Sequence, residues 1–330
     1  MKNCLIIRFS SFGDVVQAMN AARELKRSNP SMKITWITKK AFRDFVIADS
    51  SIDNVLTLED DFNGSVFNIK AFIVQESFDL IYDAHNNLRT LILKLSLMFN
   101  KKSYRWIERP KSRLKRFLLF KFRINLFPKP FLSKISYLSP LKQYINEQQT
   151  ETFSKIDFST IDLEKFKDLH DSFFVFAPSA AWEMKRWPTN YWKEVINHFS
   201  KKIQIVLVGG PDDKFIADLI EEKNHLNILN LAGKLSFFET FYLVSKAKYT
   251  LSADTGVIHV ADLIGADGGL ILGPTAFGRT SSSCITIFEN DMSCRPCSKD
   301  GRGSCGQKIY QECMVKIIPS QIINQISKYC

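Results

Sequence analysis

The sequence predicts an α/β protein built as two units of similar size, each a mostly parallel sheet with helices on its faces. Three observations lead there. Short apolar runs alternate with longer stretches whose apolar residues recur every three or four positions, the rhythm of buried parallel strands joined by helices. Small residues sit where several runs give way to helices, as in Ser10–Gly13 and Ser252–Gly256, letting the backbone turn tightly. The rhythm also breaks once, at about 125–165, in Pro128, Pro130, Pro140 and the polar stretch NEQQTETFSK, and then resumes. At 330 residues the chain exceeds the ~250–300 at which a single core stops growing. The units are expected at 1–155 and 156–330.

In the first unit, residues 4–9 (CLIIRF) read as a strand, and 15–28 carries Val15, Val16, Met19, Ala22 and Leu25 at helical spacing. Residues 33–38 and 79–83 (DLIYD) read as further strands, and Leu88 to Met98 as a helix behind the latter. In the second unit, the strand 173–177 (FFVFA) precedes a helix from about 189. The strand 203–208 and a helix from Asp212 come next. Ser236 followed by Glu239 is a capping-box signature for another helix start. The strand 248–252, a helix from Thr255 and the strand 269–272 follow, and a last helix begins near Ser320, expected to reach back across the interdomain region.

The composition, 45% hydrophobic and 24% charged, excludes a disordered tail, a collagen or a small disulfide scaffold. No signal-peptide core or membrane-spanning run is visible, so a cytoplasmic location is expected. The net charge of +11 is concentrated: between 101 and 129 eleven Lys and Arg, Lys101, Lys102, Arg105, Arg109 and Arg113 among them, face Glu108 alone. Aromatic and aliphatic residues interleave with these cations. Such a belt suits an anionic membrane surface or an anionic amphiphilic substrate, and equally a helix whose Lys and Arg are merely solvated. No nucleic-acid motif accompanies it.

Three strand-end loops carry candidate chemistry. Ser10-Ser11-Phe12-Gly13-Asp14 lies between the first strand and helix, where small residues and a helix amino terminus favour an anion. One glycine stands where a dinucleotide fingerprint needs three, which disfavours hydride transfer. Asp14 reads either as a helix N-cap or as a general base at a strand's carboxyl end. The loop 178–188 sets Lys185 and Arg186 between Trp182 and Trp187, an arrangement that suits a diphosphate and that, alone, also suits solvent. In 252–259, Thr255 and His259 are one helical turn apart, and the amides of Thr255 and Gly256 can point at an anion.

Seven cysteines include Cys294, Cys297, Cys305 and Cys313 in one glycine-rich stretch. They are compatible with a structural zinc or iron–sulfur cluster, or with free thiols.

Taken in order, RFSSFGDVV (8–16), DAHNNLR (83–89), AAWEMKRWP (180–188), VLVGGPDD (206–213), LAGKLS (231–236), SADTGVIH (252–259) and LGPTAFGRT (272–280) resemble the bacterial heptosyltransferase family of lipopolysaccharide core biosynthesis. The resemblance spans nearly the whole chain. It implies a GT-B fold, two Rossmann-like domains facing a cleft, with the acceptor on the first and the nucleotide sugar on the second. It further implies inverting transfer from ADP-heptose to an inner-core sugar at the cytoplasmic face of the inner membrane, without an obligatory metal. By the same resemblance Asp14 takes the acceptor proton, and Ser10, Ser11 and Gly13 line the transferred sugar. Lys185 neutralises the departing diphosphate, Asp213 takes the ribose hydroxyls, and Leu235 packs on the base. Asp254, Thr255, Gly256 and His259 hold the diphosphate. Arg89, Arg105, Arg109 and Arg113 are candidates for the anionic lipopolysaccharide acceptor. Gln17 stands where members commonly have His, and His85-Asn86 where they have Gln-Gly. Other readings are a transferase or epimerase of this fold using another nucleotide sugar, and a non-catalytic protein that binds anionic membranes.

Overall fold

The computed structural model describes residues 1–58, 62–98, 104–146, 155–219 and 227–330. Lys101 and Lys102 of the basic belt, and 147–154 of the polar linker, lie outside the described residues. The elements in chain order begin with β1 (Asn3–Ile7), α1 (Phe12–Ser28), β2 (Lys33–Lys39), α2 (Arg43–Ile47), β3 (Asn54–Leu58), α3 (Phe62–Gln75), β4 (Leu80–Asp83), α4 (Leu88–Leu97) and β5 (Arg105–Glu108). Next come α5 (Arg113–Phe122), α6 (Ser133–Leu138), β6 (Phe173–Ala177), α7 (Thr189–Phe199), β7 (Gln204–Leu207), β8 (Ile228–Asn230), α8 (Phe237–Lys246), β9 (Tyr249–Ala253) and α9 (Gly256–Ile264). The chain closes with β10 (Gly268–Ile271), β11 (Ile285–Phe288), α10 (Glu312–Val315) and α11 (Pro319–Ile326).

The described residues form two compact units, 1–112 with 134–160, and 113–133 with 161–330. The first holds a sheet of order β3-β2-β1-β4-β5 and the second one of order β11-β10-β9-β6-β7-β8. Every pairing in both is parallel. Parallel strands need cover on both faces, and the central strands are accordingly apolar throughout. β6, Phe-Phe-Val-Phe-Ala, is buried along its whole length. Leu5, Ile7, Ile37 and Ile81 centre one core; Phe174, Phe176, Trp192 and Phe199 centre the other.

Sequence order reverses between β1 and β4 in the first sheet and between β6 and β9 in the second. Ligands of open α/β sheets bind at such switch points, beyond the strands' carboxyl ends.

Local chemistry explains the boundaries. Ser236 Oγ accepts the Glu239 N–H at 3.1 Å, and a Glu239 carboxylate oxygen accepts the Ser236 N–H at 2.7 Å, so the capping box fixes the start of α8. The helix expected from Asp212 is instead a 3-10 turn at Lys214–Leu219, because Asp213 turns back to accept the Gly210 N–H at 2.7 Å. The short edge strands β3, β5, β8 and β11 escape a search for apolar runs; in β5, Arg105 and Glu108 mask a four-residue ladder with β4.

Residues 113–133, inside the sequence span of the first unit, are held to the second by a ring cluster. Phe120, Phe127 and Phe131 stand 6.2, 5.2 and 4.8 Å from the Phe277 ring, and Arg116 lies over that ring at 4.6 Å. Residues 155–157 stay with the first unit: the Lys155 carbonyl accepts the Ser50 N–H at 2.9 Å, and the Asp157 N–H reaches the Ala48 carbonyl at 2.8 Å. α11 packs on α7 in the second unit, where Ile322 and Ile326 are fully buried beside Trp192.

Candidate active site

The first-unit cluster gathers at the switch point between β1 and β4. Asp14 sits in the first turn of α1; Ser11, not Asp14, is the N-cap residue. One Asp14 carboxylate oxygen pairs with Arg8 at 2.6 Å and accepts the Ser11 hydroxyl at 2.9 Å. The other accepts the Tyr137 hydroxyl at 3.1 Å. Arg8 is buried and also donates to the Ala84 carbonyl at 2.8 Å. Arg109 lies 3.6 Å over the Tyr137 ring and donates to Ser136 Oγ at 2.7 Å.

Burial alone pushes the Asp14 carboxyl up. The charges of Arg8 and Arg109 and the bonds from Ser11 and Tyr137 outweigh it and bring it down to about 2. Burial pushes the Tyr137 phenol up to about 12, so it stays a donor. With 40% of its side chain exposed, Asp14 is an ionised carboxylate that an incoming hydroxyl can reach. His85, its ring 4.8 Å from Phe9, is pushed down to about 3 by burial and by Arg8 and Lys111, and is neutral at physiological pH.

The second-unit cluster gathers between β6 and β9. Lys185, in a 3-10 turn after β6, reaches Asp254 Oδ2 at 2.9 Å. Thr275 donates to the same oxygen at 2.7 Å, and His259 Nε2 stands 3.4 Å from Oδ1. Burial raises the Asp254 carboxyl, but Lys185 and His259 outweigh it and hold the group well below the usual carboxylate range. Two glycines permit this packing: a Cβ on Gly278 would lie 2.1 Å from Asp254 Cγ, and one on Gly301 (φ +94) 2.6 Å from Lys185 Cγ.

Not every candidate is free for a ligand. The Thr255 N–H is taken by the Ala253 carbonyl at 2.7 Å, and its hydroxyl is shared with Ser252 at 2.8 Å. Gly256 opens α9, so the orphan amides of that helix start there. Asp213 and Leu235 stand further along the same sheet edge, after β7 and β8, in loops joined by the Gly233 N–H to the Gly209 carbonyl at 3.0 Å.

Ser10 lies in the turn from β1 into α1, and Gly13 in the first turn of that helix beside Asp14. Of the basic candidates only Arg109 joins the Asp14 cluster. Arg89 is exposed in the first turn of α4. Arg105 is at the opposite end of β5, 3.4 Å from the Tyr144 hydroxyl, and Arg113 is exposed at the start of α5 in the second unit.

The four clustered cysteines line one cavity of about 200 Å³ with Arg123 and Met184. Among the described residues no three His, Cys, Asp or Glu side chains stand together as a metal-binding group. Burial pushes the Cys313 thiol up to about 11 and raises that of Cys297.

Sequence reasoning missed Arg8 and Tyr137 as partners of Asp14, and Thr275 and Gly278 as partners of Asp254. The last two follow a strand end, a position that would have flagged them.

Two parallel-sheet units, each with a charged cluster at its switch point, match the GT-B fold. The sequence profile of glycosyltransferase family 9 (heptosyltransferase) matches residues 66–302, and the chain belongs to that family. The lipopolysaccharide core heptosyltransferase OpsX of Haemophilus influenzae is 24% identical over 79% of this chain and 76% of its own. Lipopolysaccharide heptosyltransferase 1 of Pseudomonas aeruginosa is 21% identical over 89% and 86%. The solved ADP-heptose lipopolysaccharide heptosyltransferase II of Escherichia coli superposes with a TM-score of 0.76 at 16% identity, covering 100% of this chain and 98% of that one.

Proposed function

We propose that this chain moves a heptose from ADP-heptose to an inner-core sugar of lipopolysaccharide, with inversion, at the cytoplasmic face of the inner membrane. The donor is suggested by the name of the solved Escherichia coli relative, the acceptor by those of the curated relatives. The observation that carries the reading is Asp14, a carboxylate kept ionised by Arg8 and still reachable at the β1–β4 switch point.

The acceptor hydroxyl oxygen bonds to the anomeric carbon as the bond from that carbon to the diphosphate breaks. The electron pair leaves on the diphosphate, where Lys185, exchanging Asp254 for the phosphate, stabilises the growing charge. The hydroxyl proton goes to Asp14. A carboxyl with a pKa of about 2 is a weak base, so the transfer is late, once bonding to an oxocarbenium-like carbon has made the hydroxyl strongly acidic. Ser10, Ser11 and Gly13 line the sugar, Asp213 takes the ribose hydroxyls and Leu235 the base. The Gly256 amide and His259 hold the diphosphate. Arg109 leads the acceptor contacts, with Arg89, Arg105 and Arg113 at the outer reaches of an anionic substrate.

Incubation with ADP-heptose and a de-acylated inner-core acceptor should add one heptosyl residue by mass spectrometry. Asp14→Asn should abolish turnover while ADP affinity, read by calorimetry, stays near wild type. Turnover by the variant would remove Asp14 from the mechanism. Product from another nucleotide sugar, with none from ADP-heptose, would overturn the donor assignment.

A further inference from the structure

α4 turns Thr90, Leu93 and Leu97 inward. Its outer face is also apolar: Leu88, Leu91, Ile92, Leu95 and the following Met98 are between 37% and 69% exposed. At i, i+3, i+4, i+7 and i+10 these five form one stripe. Single exposed leucines need no explanation, but a continuous stripe marks a surface that meets something.

We propose that α4 docks this chain onto an anionic lipid bilayer, lying in the membrane plane with the stripe at the boundary between headgroups and acyl chains. A ten-residue helix is about 15 Å long, too short to span a bilayer and suited to lie along one. Charge selects the occupant. Among the described residues, 83–98 and 104–112 carry five Lys or Arg against Asp83 and Glu108; Lys94 pairs with Glu108 at 2.7 Å, and Arg89 is exposed beside the stripe. A second copy of the chain would set this basic neighbourhood against itself, whereas acidic headgroups complement it while acyl chains take the leucines.

Position fits the same occupant. α4 leaves the loop after β4 that carries His85, a residue within the field of Arg8 and Asp14, so the docking face starts beside the cluster assigned to the acceptor. This inference rests on the lipid-linked acceptor proposed above for its choice of occupant.

The test is flotation of the full chain, without substrates, on vesicles of phosphatidylcholine with phosphatidylglycerol and of phosphatidylcholine alone. Wild type should float with the anionic vesicles and weakly with the neutral ones. L91E/L95E should lose at least about tenfold in anionic-vesicle affinity, and L91F/L95F should retain it, with circular dichroism unchanged in both. L91E/L95E should also keep full turnover on a water-soluble acceptor and lose it on the same saccharide anchored in vesicles. Equal flotation of wild type and L91E/L95E, or no flotation of wild type, would overturn the proposal. So would a wild-type dimer in solution that L91E/L95E splits, which would make the stripe a self-interface. Anionic flotation by wild type that L91E/L95E loses, with no heptose transfer to any acceptor, would reject the proposed activity and support the docking surface.

Discussion

Asp14 and Asp254 show how one residue type is set to two tasks. Both are held ionised by a neighbouring cation, but Asp254 is buried whereas Asp14 keeps 40% of its side chain in reach. Because the Asp14 carboxyl lies near 2, below the ~3.9 of an unfolded chain, its stabilising contribution is complete above ~4 and is lost as pH falls toward 2. The kcat/KM profile should therefore show no acid limb from Asp14 between pH 5 and 8. An acid limb near pH 6 in the wild-type profile that isotope-edited infrared spectroscopy traces to titration of the Asp14 carboxylate would contradict the ion-paired state. At the other cluster, Gly278→Ala should cost about 1–3 kcal/mol in urea unfolding and weaken ADP binding, since the added methyl must displace the Asp254 carboxylate. Asp14, Lys185 and Asp254 were legible because strand ends beside small residues are where such sheets keep their ligands. Tyr137 was not, because its contact to Asp14 spans 123 positions and leaves no local pattern.

At the level of elements, legibility followed the strength of the local signal. β6 reads as a strand because five consecutive apolar residues permit a position buried on both faces. α8 starts where the reciprocal Ser236–Glu239 bonds require it. Ser236→Ala should cost about 1 kcal/mol, seen as a lower urea midpoint with an unchanged m-value. Glu239→Ala should cost more, because Glu239 also pairs with Lys165 at 2.6 Å. The four short edge strands escaped notice because three to five half-covered residues carry neither a continuous apolar run nor a clean alternation. α4 was legible as a helix, but its outward stripe was not: the same leucine spacing would serve a helix buried on every side.

For the whole molecule, the alternation of strands and helices was enough to foresee two parallel-sheet units, and the family follows from the profile match. What the pattern could not convey is that the basic stretch 113–133 belongs with the later unit, since three rings converging on Phe277 depend on contacts some 150 residues apart. Phe277→Ala should destabilise that unit by about 1–3 kcal/mol, since the ring is only partly buried. It should also speed tryptic cleavage at Lys115, Arg116, Lys121 and Arg123, followed by peptide mapping. Cleavage at the wild-type rate would mean that something other than the ring cluster holds the segment.

The chain leaves the first unit after Ser112, returns at Lys134 and leaves again after Thr160. No single cut in the gene separates the two halves. A hybrid enzyme joined at one seam near residue 160 would import a foreign 113–133 to meet its Phe277, so recombination between relatives should succeed only where that short passage travels with the carboxyl-terminal half.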